Sequence, residues 1–165
     1  MPAIRRVKPG EGLRFRKIRL RALADSPSAF GSTLAEASTR PPEYWEQRTA
    51  DGAAGEDSVL FVAEADERWL GVVGGITDTT GVELISMWVE PAYRKIRLGR
   101  QLVDQILVWA RERNADYVSL CVSDGNESAI KLYELCGFRL TGRSQPLPSN
   151  PSTLEHFMRL DLKQD

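Results

Sequence analysis

A change of hydrophobic period midway along the chain constrains the fold more than any other feature. Before it, three apolar runs at 58–66, 68–78 and 82–89 are joined by short turns, which predicts antiparallel strands. After it, the apolar side chains of 98–110 occupy one half of a helical wheel, which predicts an amphipathic helix. A strand at 117–123 follows, so one right-handed parallel crossover is expected within an otherwise antiparallel sheet.

The other segments complete a mixed α+β pattern rather than an alternating one. They are a strand at 2–7, a helix at 11–25, a possible helix at 33–38, a helix starting at Pro41–Pro42, a loop at 51–57, a helix at 126–136, and two final strands separated by a loop at 144–151. With 165 residues and no linker, the whole chain 1–165 is predicted to be a single domain.

Composition narrows the function classes. Lys and Arg total 22 against 23 Asp and Glu, a net charge of −1, which disfavours a general nucleic-acid binder. No stretch approaches the apolar length of a membrane span, and the N-terminus lacks the apolar core of a secretory signal. Cys121 and Cys136 form neither a disulfide framework nor a metal site, so we expect a reduced, cytoplasmic protein without a metal.

Basic residues are spread around the first predicted helix, among them Arg14, Arg16, Lys17, Arg19 and Arg21. Three interpretations stay open at this point. The side chains form a solvated face with their stems along apolar surface, or they bind an acidic ligand, or they bind nucleic acid.

A basic loop joins the strand at 82–89 to the amphipathic helix. Its cations are Arg94, Lys95, Arg97 and Arg100. The N-terminus of a helix offers unpaired backbone N–H groups and a positive dipole end, and both favour a phosphate or pyrophosphate. The segment therefore indicates an anion site.

Two motifs here resemble those of the GNAT superfamily of N-acetyltransferases. The first is V-x-P-x-x-R-x-x-x-x-G, in Val89, Pro91, Arg94 and Gly99. The second resembles N-x-x-A-x-x-x-Y-E-x-x-G-F, in Asn126, Ala129, Tyr133, Glu134, Gly137 and Phe138. The resemblance implies a central, mostly antiparallel sheet of about seven strands, flanked by helices on both faces, with one splayed parallel strand pair.

The resemblance also implies that acetyl-CoA binds between those two strands. Backbone groups of Met87, Trp88 and Val89 would then pair with the pantetheine arm like an added strand. The diphosphate would lie on the backbone amides of the loop and helix start, which comprise Lys95, Ile96, Arg97, Leu98, Gly99 and Arg100. Asn126 would bond near the thioester, or cap its helix, or do both.

Arg97 departs from the family pattern, because it occupies the place of a glycine in the phosphate loop. Arginine has a Cβ and a long side chain, whereas glycine permits close backbone approach. Either Arg97 is in an ordinary right-handed helical conformation and points outward, or it partly blocks the diphosphate. Our hypothesis is the first.

The resemblance implies that Tyr133 is the general acid that protonates the departing thiolate, and the alternative is a packed helix aromatic. Glu83 is a candidate base for the amine, directly or through water, and the alternative is an exposed carboxylate at the start of a strand.

His156 in the last strand is expected to be structural. Phe30, Tyr44 and Trp45 lie in a segment that varies in the family, where they line the acceptor site or pack in the core.

These observations lead to an enzyme that transfers an acetyl group from acetyl-CoA to a primary amine in a ternary complex. The alternative is a non-catalytic module of the same fold that binds a CoA ester or acts by interaction, and Arg97 is the residue that favours it. A homodimer is compatible with the resemblance, since many relatives pair through terminal strands.

Overall fold

The computed structural model describes residues 2–94 and 97–163. Its strands are β1 (Ala3–Arg6), β2 (Ser58–Ala65), β3 (Arg68–Asp78), β4 (Gly81–Val89), β5 (Tyr117–Ser123), β6 (Arg139–Leu147) and β7 (Asn150–Asp161). Its helices are α1 (Gly12–Asp25), α2 (Leu34–Ser38), α3 (Pro42–Ala54), α4 (Leu98–Glu112) and α5 (Glu127–Leu135). Short 3-10 turns cover Pro27–Ala29 and Pro91–Tyr93. None of the helices in the described part of the chain is both long and apolar enough to cross a membrane.

The strands form one seven-stranded sheet in the order β1-β2-β3-β4-β5-β7-β6. Every neighbouring pair is antiparallel except β4 and β5, which are parallel and joined by α4. This confirms the predicted α+β class, the mostly antiparallel mixed sheet and the single parallel crossover.

Helices cover both faces of the sheet. Leu102, Val103 and Ile106 of α4 are fully buried against one face. Phe15 and Ile18 of α1 are buried against the other face, with α3 beside them. Burying one such side chain contributes about 1.5–3 kcal/mol, so the apolar stripe of α4 fixes its position over β2 to β5.

Two predicted loops are shorter in the structure. The loop expected at 51–57 was wrong over its first half, because α3 continues to Ala54 and closes at Gly55, whose positive φ of 68° suits a helix terminus. The loop expected at 144–151 was wrong at both ends, because β6 reaches Leu147 and β7 begins at Asn150. Pro146 is tolerated there since β6 is an edge strand.

Candidate functional site

The parallel strands β4 and β5 diverge along their length. Their pairing is confined to two positions, Val82 with Val118 and Glu83 with Ser119. Beyond Glu83 the side of β4 that faces β5 has no strand partner among the described residues. The strands therefore open a V-shaped gap that leaves backbone donors and acceptors of β4 free.

A bulge in β4 accompanies this divergence. The register between β3 and β4 shifts between Val72 and Gly74, so that Ser86 and Met87 together oppose one residue of β3. Ser86 has a positive φ of 58°, which is strained for a residue with a Cβ. Bulges re-aim side chains and end strand pairing, and this one lies where β4 leaves β5.

A cleft with a volume of about 280 Å³ fills the gap. It is lined by β4, β5, the start of α4, the start and face of α5, and the segment that follows α1. Predicted cofactor residues on its wall are Met87, Trp88, Val89, Arg94, Arg97, Gly99, Arg100 and Asn126. Tyr133 and Phe30 line it too. Leu98 is buried in the core and is not among the described lining residues, while Lys95 and Ile96 lie outside the described residues.

Arg97 differs from the sequence-based hypothesis. Its backbone is left-handed, with φ 66° and ψ 11°, and not in the right-handed helical region. The turn into α4 requires this conformation, which glycine adopts freely and arginine adopts at a cost. Its side chain is exposed at the cleft wall, as expected. Arg97 thus has a backbone conformation that suits glycine, and its side chain adds a positive charge at the cleft wall.

Gly99 shows why a glycine is needed in the first turn of α4. A Cβ placed there would lie 3.1 Å from Cδ2 of Leu132 and 3.3 Å from Cε of Met87. Both distances are tighter than ordinary packing. The close approach of α4 to α5 and β4 at the cleft therefore depends on the missing side chain.

Arg94 is held in place by two contacts. Its Nε donates to the carbonyl oxygen of Val89 at 2.9 Å, and its Nη2 pairs with Oδ2 of Asp25 at 2.5 Å. The indole Nε1 of Trp88 donates to the same carboxylate oxygen at 3.0 Å. Hydrogen bonds from the Ser26 hydroxyl and from Trp88 hold the pKa of Asp25 below its usual value.

Tyr133 lies on α5 with 7% of its surface exposed. Its ring packs edge-on against Phe138 at a centroid distance of 5.9 Å. Burial raises the pKa of Tyr133, and Cys136 adds to the effect, so the phenol keeps its proton at neutral pH. The residue packs in the core, as one interpretation from the sequence required, and it also lines the cleft, while its role as the acid stays a prediction.

Asn126 caps α5, as one of its two predicted roles required. Its side-chain oxygen accepts from the backbone N–H of Ala129 at 3.4 Å. Since the oxygen is used for the cap, the side-chain amide nitrogen is the group left for a ligand in the cleft.

Glu83 is the last residue of β4 that pairs with β5. Burial raises the pKa of its carboxyl, and the charges of Asp78 and Glu155 raise it further. Burial also raises the pKa of the Cys121 thiol, to about 12, and the charges of Glu155 and Glu83 contribute to this shift. Cys121 lines the cleft, whereas Glu83 is not among the described lining residues, so its part in the chemistry stays a prediction.

Of the aromatic residues predicted for the acceptor site, Phe30 lines the cleft, whereas Trp45 is not among the described lining residues. Its ring packs between Phe15 and Tyr44, with centroid distances of 5.4 and 5.0 Å. His156 pairs with Asp124 across 3.0 Å in the last part of the sheet and is not one of the described lining residues.

Three lining or supporting residues were missed by the sequence reasoning, namely Asp25, Ser26 and Cys121. Asp25 and Ser26 come from the end of α1, far from both motifs, and no local pattern marks them. Cys121 alternates with buried residues of β5, so its strand position was a usable signal for the face of the cleft. Among residues 2–94 and 97–163, no three His, Cys, Asp or Glu side chains are grouped closely enough to hold a metal ion.

The family model and the individual proteins that match this chain are described as acetyltransferases. The family model described as "Acetyltransferase (GNAT) family" matches residues 22–138. A mycothiol acetyltransferase from Thermomonospora curvata is 33% identical over 138 residues, which cover 82% of this chain and 43% of that protein. The chain spans similarly small shares, 44% and 41%, of two vertebrate N-acetyltransferases that also match.

Solved structures share the fold at low identity. An acetyltransferase of the GNAT family from Streptococcus pneumoniae has a TM-score of 0.85 at 16% identity, with 99% of this chain and 100% of that chain covered. The structure of yncA, a putative acetyltransferase from Salmonella typhimurium with its cofactor acetyl-CoA, has a TM-score of 0.82 at 18% identity, with 100% and 96% covered.

Proposed function

Since the chain belongs to the GNAT acetyltransferase family, we propose that it transfers an acetyl group from acetyl-CoA to a primary amine by direct attack in a ternary complex. The divergence of β4 and β5 after Glu83 is the observation that carries this proposal. It leaves an edge of β4 free beside the helix start at Arg97 and the phenol of Tyr133. The free edge of β4 can form hydrogen bonds with an extended pantetheine arm. The helix start can bind the diphosphate, and the phenol can protonate the leaving thiolate.

Acetyl-CoA binding is attributed to three parts of the cleft wall. The backbone of Met87, Trp88 and Val89 holds the pantetheine by strand-like hydrogen bonds. The first turn of α4 holds the diphosphate through its free N–H groups and dipole. Arg97 and Arg100 are both exposed on the cleft wall, where their positive charges attract the diphosphate. Dissolved salt weakens this attraction by screening the charges. Arg94 is tied to Asp25 and acts chiefly by fixing the strand-to-helix connection.

The reaction forms a C–N bond and breaks the C–S bond of the thioester. The amine must lose a proton, and Glu83 is assigned as the group that accepts it, directly or through water. Its raised pKa supports this role, because a base works best with a pKa near the operating pH. Backbone N–H groups at the β4 bulge stabilise the negative charge that develops on the thioester oxygen.

Tyr133 is assigned as the acid that gives its proton to the sulfur as the C–S bond breaks. Its raised pKa keeps the phenol protonated throughout the physiological range. The raised pKa also makes the phenol a weak acid, so it gives up its proton only as negative charge develops on the sulfur in the transition state.

Release of free thiol from acetyl-CoA across a panel of primary amines tests the function. The expected result is amine-dependent thiol release, with the product heavier than the amine by one acetyl group in a mass spectrum. Acetyl-CoA binding without thiol release from any amine would instead support the non-catalytic alternative. Absence of both would overturn the proposal.

A further inference from the structure

A second, smaller cavity lies on the other side of the β4 bulge. Its volume is about 70 Å³, and it is formed where α1, α2 and α3 meet the sheet. Its polar and charged lining includes Arg19, Glu36, Arg40, Trp45, Arg48 and Ser86. None of the described residues assigned to acetyl-CoA binding or to proton transfer lines this cavity.

Two buried hydrogen-bond donors in this lining have no acceptor among the described residues. They are Nη1 of Arg19 and Nε1 of Trp45. The guanidinium of Arg19 stacks over Phe30 at 4.6 Å from the ring centre, which positions it without satisfying its N–H groups. Buried donors are nearly always paired, so two such donors at one cavity indicate an acceptor group that enters it.

The cavity is positively charged. Arg40 stacks on the ring of Tyr44 at 4.7 Å, and Nη1 of Arg48 donates to the hydroxyl of Tyr44 at 3.2 Å. No carboxylate of the described residues lies within 4.0 Å of Arg19, Arg40 or Arg48. Burial, and then the charge of Arg48, lower the pKa of Arg19 to about 10, so the Arg19 guanidinium stays charged at neutral pH.

One acidic residue, Glu36, also lines the cavity. Its Oε1 accepts from the hydroxyl of Thr33 at 3.1 Å, where Thr33 caps the start of α2. It is exposed and forms no ion pair with the arginines of the described chain. Three guanidinium groups against one carboxylate leave the lining with an excess of positive charge.

The cavity and the cofactor cleft share their dividing wall. Ser86 lines the cavity and the next residue, Met87, lines the cleft, so the bulge of β4 borders both. Phe30 lines the cleft and carries Arg19 on its ring. The bulge and Phe30 therefore connect the two sites, and an acceptor whose amine faces the thioester can extend past them toward Arg19.

We propose that the acceptor is a small primary amine that carries a carboxylate, and that Arg19 and Arg48 bind this carboxylate in the second cavity. This inference rests on the proposed acetyl transfer and names its substrate class. Guanidinium groups bind carboxylates through paired N–H···O bonds, which fix direction as well as charge. A volume of about 70 Å³ is large enough to admit a carboxylate.

Matched pairs of acceptors test the proposal. Each proteinogenic L-amino acid with a primary amine is compared with its C-terminal amide, which keeps the amine and removes the negative charge. The rate of thiol release from acetyl-CoA gives kcat/KM for both members of a pair. For the acetylated amino acids we expect the acid to exceed the amide about tenfold to a hundredfold, the range of a charged hydrogen bond.

Variants assign the preference to the cavity. Arg19→Gln is expected to raise KM for the acids by that factor and to leave KM for the amides unchanged. Arg48→Gln serves as a second variant should Arg19→Gln fail to fold. Arg16→Gln is the matched control, since Arg16 lies on the same helix and outside the described lining of both cavities. Equal rates for acids and amides in the wild type, or an equal loss for both in the variants, would overturn the proposal.

A binding experiment separates this inference from the proposed function. If no amine releases thiol, the proposed catalysis fails, and the cavity is then probed by thermal unfolding with CoA and N-acetyl amino acids or their amides. Stabilisation by the N-acetyl amino acids in the wild type, absent with the amides and in Arg19→Gln, supports the carboxylate site. Equal or no stabilisation by the two sets overturns it.

Discussion

The carboxylate of Asp25 lies 2.5 Å from the guanidinium of Arg94, a residue 69 positions further along the chain. Asp25 ends α1, and Arg94 follows β4 at the start of the basic loop. The pair therefore ties the helix on one face of the sheet to the connection that leads to the helix on the other. Because Trp88 donates to the same oxygen, three segments at the cleft depend on one carboxylate.

Asp25→Asn should lower the free energy of unfolding by about 1 kcal/mol at pH 7, because it removes the charge of a partly exposed pair that also accepts hydrogen bonds. The folded-state pKa of Asp25 is lowered below 3.8. Its contribution is therefore complete above about pH 5 and is lost as the pH falls through the folded pKa. Urea unfolding of both proteins at pH 7 and pH 4 checks this, and a gap that widens toward low pH would contradict it.

Tyr133→Phe should reduce kcat about 10²- to 10⁴-fold and leave acetyl-CoA affinity unchanged, since only the acidic proton is removed and the edge-on packing against Phe138 remains. Steady-state kinetics with a proven acceptor and calorimetry with acetyl-CoA measure the two quantities. Tyr117→Phe is the control, because the Tyr117 hydroxyl bonds to Asp78 outside the cleft. An unchanged kcat, with chemistry shown to limit the rate, would remove Tyr133 from the mechanism.

Glu83→Gln should change rate and stability in opposite directions. The rate should fall about 10²- to 10⁴-fold with the loss of the base, and the acidic limb of the kcat/KM profile should disappear. The folded-state pKa of Glu83 is raised, so its favourable contribution is present below about pH 4.5 and is lost as the pH rises through the folded pKa.

At pH 8 the variant should therefore be more stable than the wild type, and at pH 4 it should show no such gain. Thermal unfolding at the two pH values measures the difference. A variant that is less stable at pH 8 but retains its acidic limb would show that Glu83 is a structural carboxylate.

Arg97→Gly and Arg97→Ala should separate backbone strain from charge. Both remove the same guanidinium, so both should weaken acetyl-CoA binding similarly and flatten its salt dependence. At a φ of 66°, glycine is unstrained and alanine is not, so Arg97→Gly should be about 1 kcal/mol more stable than Arg97→Ala. Equal stability of the two variants by urea unfolding would contradict the left-handed backbone.

Elements with a strong local pattern were predictable from the sequence. The helix expected from 98–110 is α4 at Leu98–Glu112, because its apolar stripe is set by burial on one face. The strands at 58–66, 68–78 and 82–89 match β2, β3 and β4 within a few residues for the same reason. Tyr133 and Asn126 were singled out because both belong to the second motif, and both line the cleft.

Features that depend on contacts between distant segments were not predictable. Asp25 is important because it accepts hydrogen bonds from Arg94 and Trp88, and no local sequence pattern links these residues to it. The right-handed conformation expected at Arg97 was wrong because residue type favoured it, while the turn into α4 demanded a positive φ. The cavity at Arg19 arises from three helices and a bulge, and the even spread of charge on α1 gave no sign of which arginine lines a cavity.

Calorimetric titration of the protein with acetyl-CoA tests the central claim most directly, since every assigned role depends on that molecule filling the gap between β4 and β5. We predict saturable binding of one acetyl-CoA per chain, with an affinity in the range of about 1 μM to 1 mM typical of enzyme substrates. Absence of binding heat at millimolar acetyl-CoA, across temperatures that rule out a zero enthalpy, would contradict the account.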